Sequence, residues 1–165
     1  MTATANLSRP LANPLDRLER LAETRSWHLD RTNDNEIVMA VGGGWSDLNI
    51  SLTWRDDLES LHFCCMPELR VPGKRRDEAM RLVSIINAQL MHGHIDMWTD
   101  GTVVYRNTLL LTGGAEANDS QCEAMVSLGV DAVHHYYPAF NFVIWGGLDA
   151  EKAMECALLE TVGEA

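Results

Sequence analysis

The 165 residues, 46% of them apolar, suffice for one domain with its own hydrophobic core. Thirteen Lys and Arg against 24 Asp and Glu leave a formal charge of −11, which opposes binding along a nucleic-acid backbone. No apolar run approaches the ~20 residues of a membrane-spanning helix, and the polar opening MTATANLSRPLANP carries no secretory pattern, so a cytoplasmic protein is expected.

Residues 1–12 read as a flexible N-terminal segment, and 13–165 as a single domain. In NPLDRLERLAETR, Asn13 can cap a helix, Pro14 suits its first position and Asp16 its first turn. Leu15, Leu18, Leu21 and Ala22 form the apolar stripe of that helix. SWHLDR reads as a short strand with Trp27 and Leu29 on one face. After the turn NDN comes EIVMAV, and after GGG comes WSDLNISLTWR. There Leu48, Ile50, Leu52 and Trp54 alternate with Asp47, Asn49, Ser51 and Thr53. SLHFCCM follows a short turn, setting Leu61, Phe63 and Cys65 opposite His62, Cys64 and Met66. Such short connections imply antiparallel strands.

KRRDEAMRLVSIINAQLM changes period: Ala79, Leu82, Val83, Ile86 and Leu90 predict a helix that Gly93 ends. HIDMW and TVVYRNTLLL flank the turn TDG as a hairpin. DSQCEAMVSLGVDAVHHYY predicts a helix that Pro138 kinks or ends, and AFNFVIW is ambiguous between strand and buried helix. Asp149 caps a final helix, AEKAMECALLETV, with Ala153, Met154, Ala157 and Leu158 inward. The order α-βββ(β)-α-ββ-α-α-α is that of an α+β domain, an antiparallel sheet with helices packed mainly on one face.

Two histidines and an aspartate in five residues raise a metal site. His92, His94 and Asp96 would share one face of a strand and are a legitimate ligand set for zinc or iron. If Gly93 ends the helix, however, His92 belongs to its last turn and the three do not converge. His134 and His135 are helix neighbours that diverge by about 100°, with Asp131 in reach of either; that cluster reads as a solvated face. GGGWS lacks the second glycine of a nucleophile elbow, GGAEAND lacks a phosphate-loop spacing, and no catalytic constellation or cofactor motif emerges. Cys64, Cys65, Cys122 and Cys156 show neither CxxC spacing nor disulfide-framework density and read as packing residues in a reducing compartment. Two features invite a partner: the basic cluster Arg70, Lys74, Arg75 and Arg76, a possible docking patch neutralised in part by Asp77 and Glu78, and a sheet face that the helices leave uncovered.

GHIDMWTDGTVVYRNTLLL resembles the Gly-His-Phe-Asp-Leu-Trp…Phe-Arg hairpin of the YbjN-like family of bacterial sensory transduction regulators. The resemblance extends to YYPAFNFVIWGG and ALLETVGEA downstream and to WRDDL and LHFCCMPELRVP upstream, with Ile95 standing where the family often has phenylalanine. It implies a fold like that of type III secretion chaperones, commonly dimeric, binding other proteins without catalysis, and it favours a helix for AFNFVIW. Family positions recur as Gly93, Asp96, Trp98, Arg106, Tyr137, Pro138, Trp145, Gly146 and Gly147. Arg106 shares a strand face with apolar Val104 and calls for an acidic partner such as Asp96 across the hairpin. The expected function is a noncatalytic, chaperone-like or regulatory module: a homodimer that takes an unidentified protein partner through its sheet face or through the segment from Phe140 to Trp145, with no cofactor and no contact to nucleic acid or membrane. The alternatives are a purely structural homodimer and a small metal-dependent enzyme or sensor built on the histidine–aspartate clusters.

Overall fold

The first helix, α1 (Pro14–Arg25), starts as its sequence dictates. Asn13 Oδ1 accepts the Leu15 N–H at 2.9 Å, Pro14 opens the first turn, and Leu15, Leu18, Leu21 and Ala22 are buried. The structure is a computed structural model and describes residues 12–163. All but the last position of the expected flexible segment therefore lies outside the described residues. Strands β1 (Leu29–Asn33), β2 (Glu36–Val41), β3 (Leu48–Arg55) and β4 (Ser60–Pro67) follow, then α2 (Arg76–Asn87), β5 (His94–Met97), β6 (Val103–Leu110), α3 (Asp119–Ile144) and α4 (Ala150–Gly163). Short 3-10 turns precede β4 and α2.

The six strands form one antiparallel sheet in the order β1-β2-β3-β4-β6-β5. Register explains its two sides. One row crosses every strand as Leu29, Met39, Ile50, Cys65, Tyr105 and Ile95, and all but Leu29 are buried. The next row, one residue along, points to the opposite face. α1, α2 and α3 contact strands of the sheet, and α3 touches each of the other three helices, so all four occupy the apolar side. No helix is long and apolar enough to cross a membrane among the described residues.

α3 is the centrepiece. Asn118 Oδ1 accepts the Gln121 N–H, and Gln121 Oε1 accepts the Asn118 N–H, both at 2.9 Å, a reciprocal cap that starts the helix. It then runs 26 residues without a break, with Pro138 inside it. Pro138 does not end the helix: residues 139–144 continue it, as the resemblance favours, and the last three predicted helices are two. Proline removes one N–H and crowds the His134 carbonyl, at a cost of about 3 kcal/mol. The burial of Tyr136, Pro138, Ala139, Phe140, Val143 and Ile144 around that position offsets this. α2 also ends earlier than predicted, at Asn87, because the Asn87 side chain turns to pair with the backbone of Ile95. Gly93 is left-handed, φ +65°, but not as a helix cap: a Cβ there would lie 2.4 Å from the Tyr105 hydroxyl. His92 accordingly lies in the loop before β5, where its carbonyl accepts the Tyr105 O–H at 3.0 Å. On α4, Ala153, Met154 and Ala157 are buried as expected, whereas Leu158 is exposed.

α3 sits close on the sheet at Gly129. A Cβ there would lie 2.2 Å from Phe63 Cε1, and Phe63 is fully buried and cannot swing aside. Gly129→Ala is expected to lose roughly 1–3 kcal/mol to overpacking, more than the about 1 kcal/mol that alanine adds in helix propensity. Thermal unfolding would show the melting temperature lowered by a few degrees.

Candidate functional site

The open face of the sheet carries the second row: Asp30, Val38, Ser51, Cys64, Arg106 and His94, one residue from each strand. A parallel row holds Glu36, Thr53, His62 and Thr108, and Ala40, Asn49 and Met66 make a third. Val38, Ser51, His62, Cys64 and Met66 are half-buried by their neighbours with no helix over them. Val104, opposite Asp96, is fully buried on this same side. Each central strand is thus apolar toward the helices and mixed toward the open side. His62 and Ser60 share a hydrogen bond, Nε2 to Oγ, at 2.9 Å.

The expected partner of Arg106 is in place: Nη1 lies 3.6 Å from Asp96 Oδ2, with the two side chains 46% and 42% exposed. The pair sits beside Val104 on the open face, half in solvent, where such a bridge contributes about 0–1 kcal/mol. Asp96 also accepts the Met97 N–H at 2.8 Å through Oδ1, so both of its oxygens are engaged. His94 is paired with Arg106 across the hairpin. His134 Nε2 faces the loop at Gly43, where an added Cβ would come within 2.7 Å, and it is buried without a hydrogen-bond partner among the described residues. His135 packs edge-on against Tyr136, centroids 4.7 Å apart, and Asp131 is exposed. No group of three or more His, Cys, Asp and Glu that could hold a metal occurs among the described residues.

The basic cluster is largely used inside the molecule. Arg75 donates through Nε to the Val143 carbonyl at 2.7 Å and through Nη2 to that of Leu148 at 2.6 Å, clamping the junction of α3 and α4. Arg76 donates to the carbonyls of Trp98 and Thr99 at 3.0 and 3.3 Å, and Arg70 pairs with Asp100 at 3.2 Å. Glu78, their neighbour, accepts the Ala150 N–H at 2.7 Å and so caps α4. Lys74 is exposed. In the segment from Phe140 to Trp145, Phe140, Val143 and Ile144 are core residues, while Trp145 is 79% exposed. Gly147, φ +67°, turns the chain so that the Leu148 N–H meets the Phe142 carbonyl. Tyr137 stacks on Trp45 of the β2–β3 loop, centroids 6.4 Å apart, and Trp98 stands partly exposed in the β5–β6 turn. These clamps span long stretches of chain, and no local pattern announces them; the cap by Glu78 and the edge contact of Asn87 were likewise missed.

All four cysteines are free; Cys65 and Cys122 are buried, Cys64 and Cys156 half-buried. Burial pushes the Cys65 thiol up to about 12 and that of Cys122 to about 11, from an ordinary value of 9.0. The folded state thus holds its thiol protons where the unfolded chain releases them, so this stabilisation is complete below pH 9 and lost as pH rises from 9 toward 12. Urea unfolding across that range is expected to show falling stability, with a shallower fall in Cys65→Val.

The family model described as "Putative bacterial sensory transduction regulator", YbjN, matches residues 14–142. Among solved structures, YbjN of E. coli, described as "a putative transcription regulator", superposes with a TM-score of 0.55 at 16% identity, covering 83% of this chain and 93% of that one. A chain of the ExsC–ExsE complex overlaps at a TM-score of 0.46 and 15% identity, covering 76% of this chain and 94% of that one. No curated protein matches in sequence. The superposition with E. coli YbjN shares the fold, the antiparallel sheet backed by helices. With its matched hairpin, sheet and long helix, the chain belongs to the YbjN family.

Proposed function

We propose that this protein is a noncatalytic regulatory module whose open sheet face binds a protein partner. The observation that carries the reading is the contrast between adjacent rows. Leu29 to Ile95 lies under the helices, whereas among the described residues no helix lies over Asp30 to His94, a row that includes Val38 and Cys64 and adjoins Met66 and Val104. A continuous six-stranded face of mixed polarity suits a protein surface better than a small substrate, which takes a concave pocket. The family's description as regulators supports the same reading. Four free cysteines fit work in a reducing cytoplasm.

Cys64 provides the test, since it lies mid-row between Ser51 and Arg106. In a Cys156→Ser background, a bulky maleimide on Cys64 is expected to abolish co-purification of the protein cross-linked to this chain in its host. The same label on Cys156 in a Cys64→Ser background, on α4, is expected to leave it intact. Equal partner recovery with Cys64 labelled, at an unchanged melting temperature, would overturn the reading.

A further inference from the structure

The two edges of the sheet differ. At the β5 edge, the Ile95 N–H donates to Asn87 Oδ1 at 2.8 Å, its carbonyl accepts Asn87 Nδ2 at 2.9 Å, and the Met97 N–H donates to Asp96 Oδ1 at 2.8 Å. Helix α2 thus supplies a side chain in place of a seventh strand, and that edge is closed. At the β1 edge nothing of the kind occurs. The Trp54 N–H bonds the Asn35 carbonyl at 2.9 Å, which sets the phase of the β2–β3 ladder. Alternation then directs the Asp30 backbone toward β2 and those of Leu29 and Arg31 outward. Among the described residues no hydrogen bond reaches these outward groups.

We propose that β1 receives an extended, basic segment of the partner protein as a seventh, added strand. This rests on the protein-binding reading above and names the partner's chemistry. Beside β1 on the helix side runs a groove with Ala22, Trp27 and Leu29 as an apolar floor and Asp16, Glu19 and Glu23 as its rim. Asp30 flanks the other side. On the groove's own side three carboxylates, Asp16, Glu19 and Glu23, face two guanidiniums, Arg20 and Arg31, and Arg31 is already shared between Asp16 and Glu19 at 2.7 and 2.8 Å. The rim is therefore short of positive charge on a chain that carries −11. A strand alternating apolar residues with Lys or Arg satisfies the backbone groups, the floor and the rim together. A second copy does not, because two-fold pairing of β1 with β1 sets one acidic rim against the other. Edge charges and the irregular register between Arg31 and Asn33 discourage indiscriminate pairing and leave a charge-matched strand favoured.

The test is amide hydrogen exchange on the full chain, with a short peptide of alternating lysine and valine as probe. Lysine–proline and glutamate–valine peptides serve as controls. The lysine–valine peptide is expected to slow exchange at Leu29 and Arg31 by about tenfold or more, leaving Ile95 and Met97 unchanged; neither control does so. Leu29→Pro deletes an outward donor while sparing the Asp30–Val38 ladder, and is expected to abolish binding. Exposed Glu23→Lys is expected to weaken binding several-fold with folding unaffected, and it decides the matter should Leu29→Pro misfold. Unslowed exchange at Leu29 and Arg31, equal protection by the glutamate–valine peptide, or full affinity in Glu23→Lys would each overturn strand addition. If labelling Cys64 blocks the partner while the peptide leaves Leu29 and Arg31 unprotected, strand addition fails and the open-face reading stands. Protection by the peptide with no effect of Cys64 labelling removes the open face and keeps the edge.

Discussion

The close seat of α3 on the sheet governs everything else in this molecule. At Gly129 the helix backbone comes so near Phe63 and Tyr105 that no side chain fits between them. That approach lets one long helix cover β4 and β6 while it touches α1, α2 and α4. With a bulkier residue the helix would stand further off, and the buried row through Cys65 and Tyr105 would lose its cover. The bundle occupies one side of the sheet because α3 does, and the other side is left to solvent or to a partner.

Polar chemistry then divides between scaffold and surface. The cations that look most available, Arg75 and Arg76, are held by backbone carbonyls at the α3–α4 junction and at the β5–β6 turn. Arg75 and Glu78, the latter on the α4 N-terminus, join elements about seventy residues apart in sequence. What remains exposed is dominated by carboxylates, as the charge of −11 requires. A field of this sign repels a phosphate backbone. The histidine and aspartate candidates fit the same division. Asp96 is taken up by Arg106 and the Met97 N–H, His94 sits opposite Arg106, and His134 and His135 turn to different neighbours.

Much of this architecture was legible because its signals are local. Period-two alternation in LNISLTWR and SLHFCCM corresponds to strands whose inward residues are buried, and Asn13 and Asp149 cap the helices expected of them. The departures arise where tertiary contacts outweigh local preference. Pro138 reads as a kink or an end, yet burial on both sides of it carries α3 through. Gly93 reads as a helix stop, yet α2 ends six residues earlier, and the glycine answers instead to the Tyr105 hydroxyl. Arg75 reads as part of a docking patch because its partners, Val143 and Leu148, lie far along the chain. Of the candidate surface, the alternation itself was visible in the sequence. The closed β5 edge and the open β1 edge were not, since strand order is a property of the assembled sheet.

The central claim is that the uncovered face is where this protein meets another. Hydroxyl-radical footprinting addresses it without mutation, by comparing the chain in its host's extract with the purified chain under the same dose. Oxidation of His62, Cys64 and Met66 on the open face is expected to fall in the extract, while that of Met80, Met91 and Trp145 elsewhere on the surface stays as it was. Protection at Met80, Met91 or Trp145, with the open face oxidised equally in both samples, would contradict it.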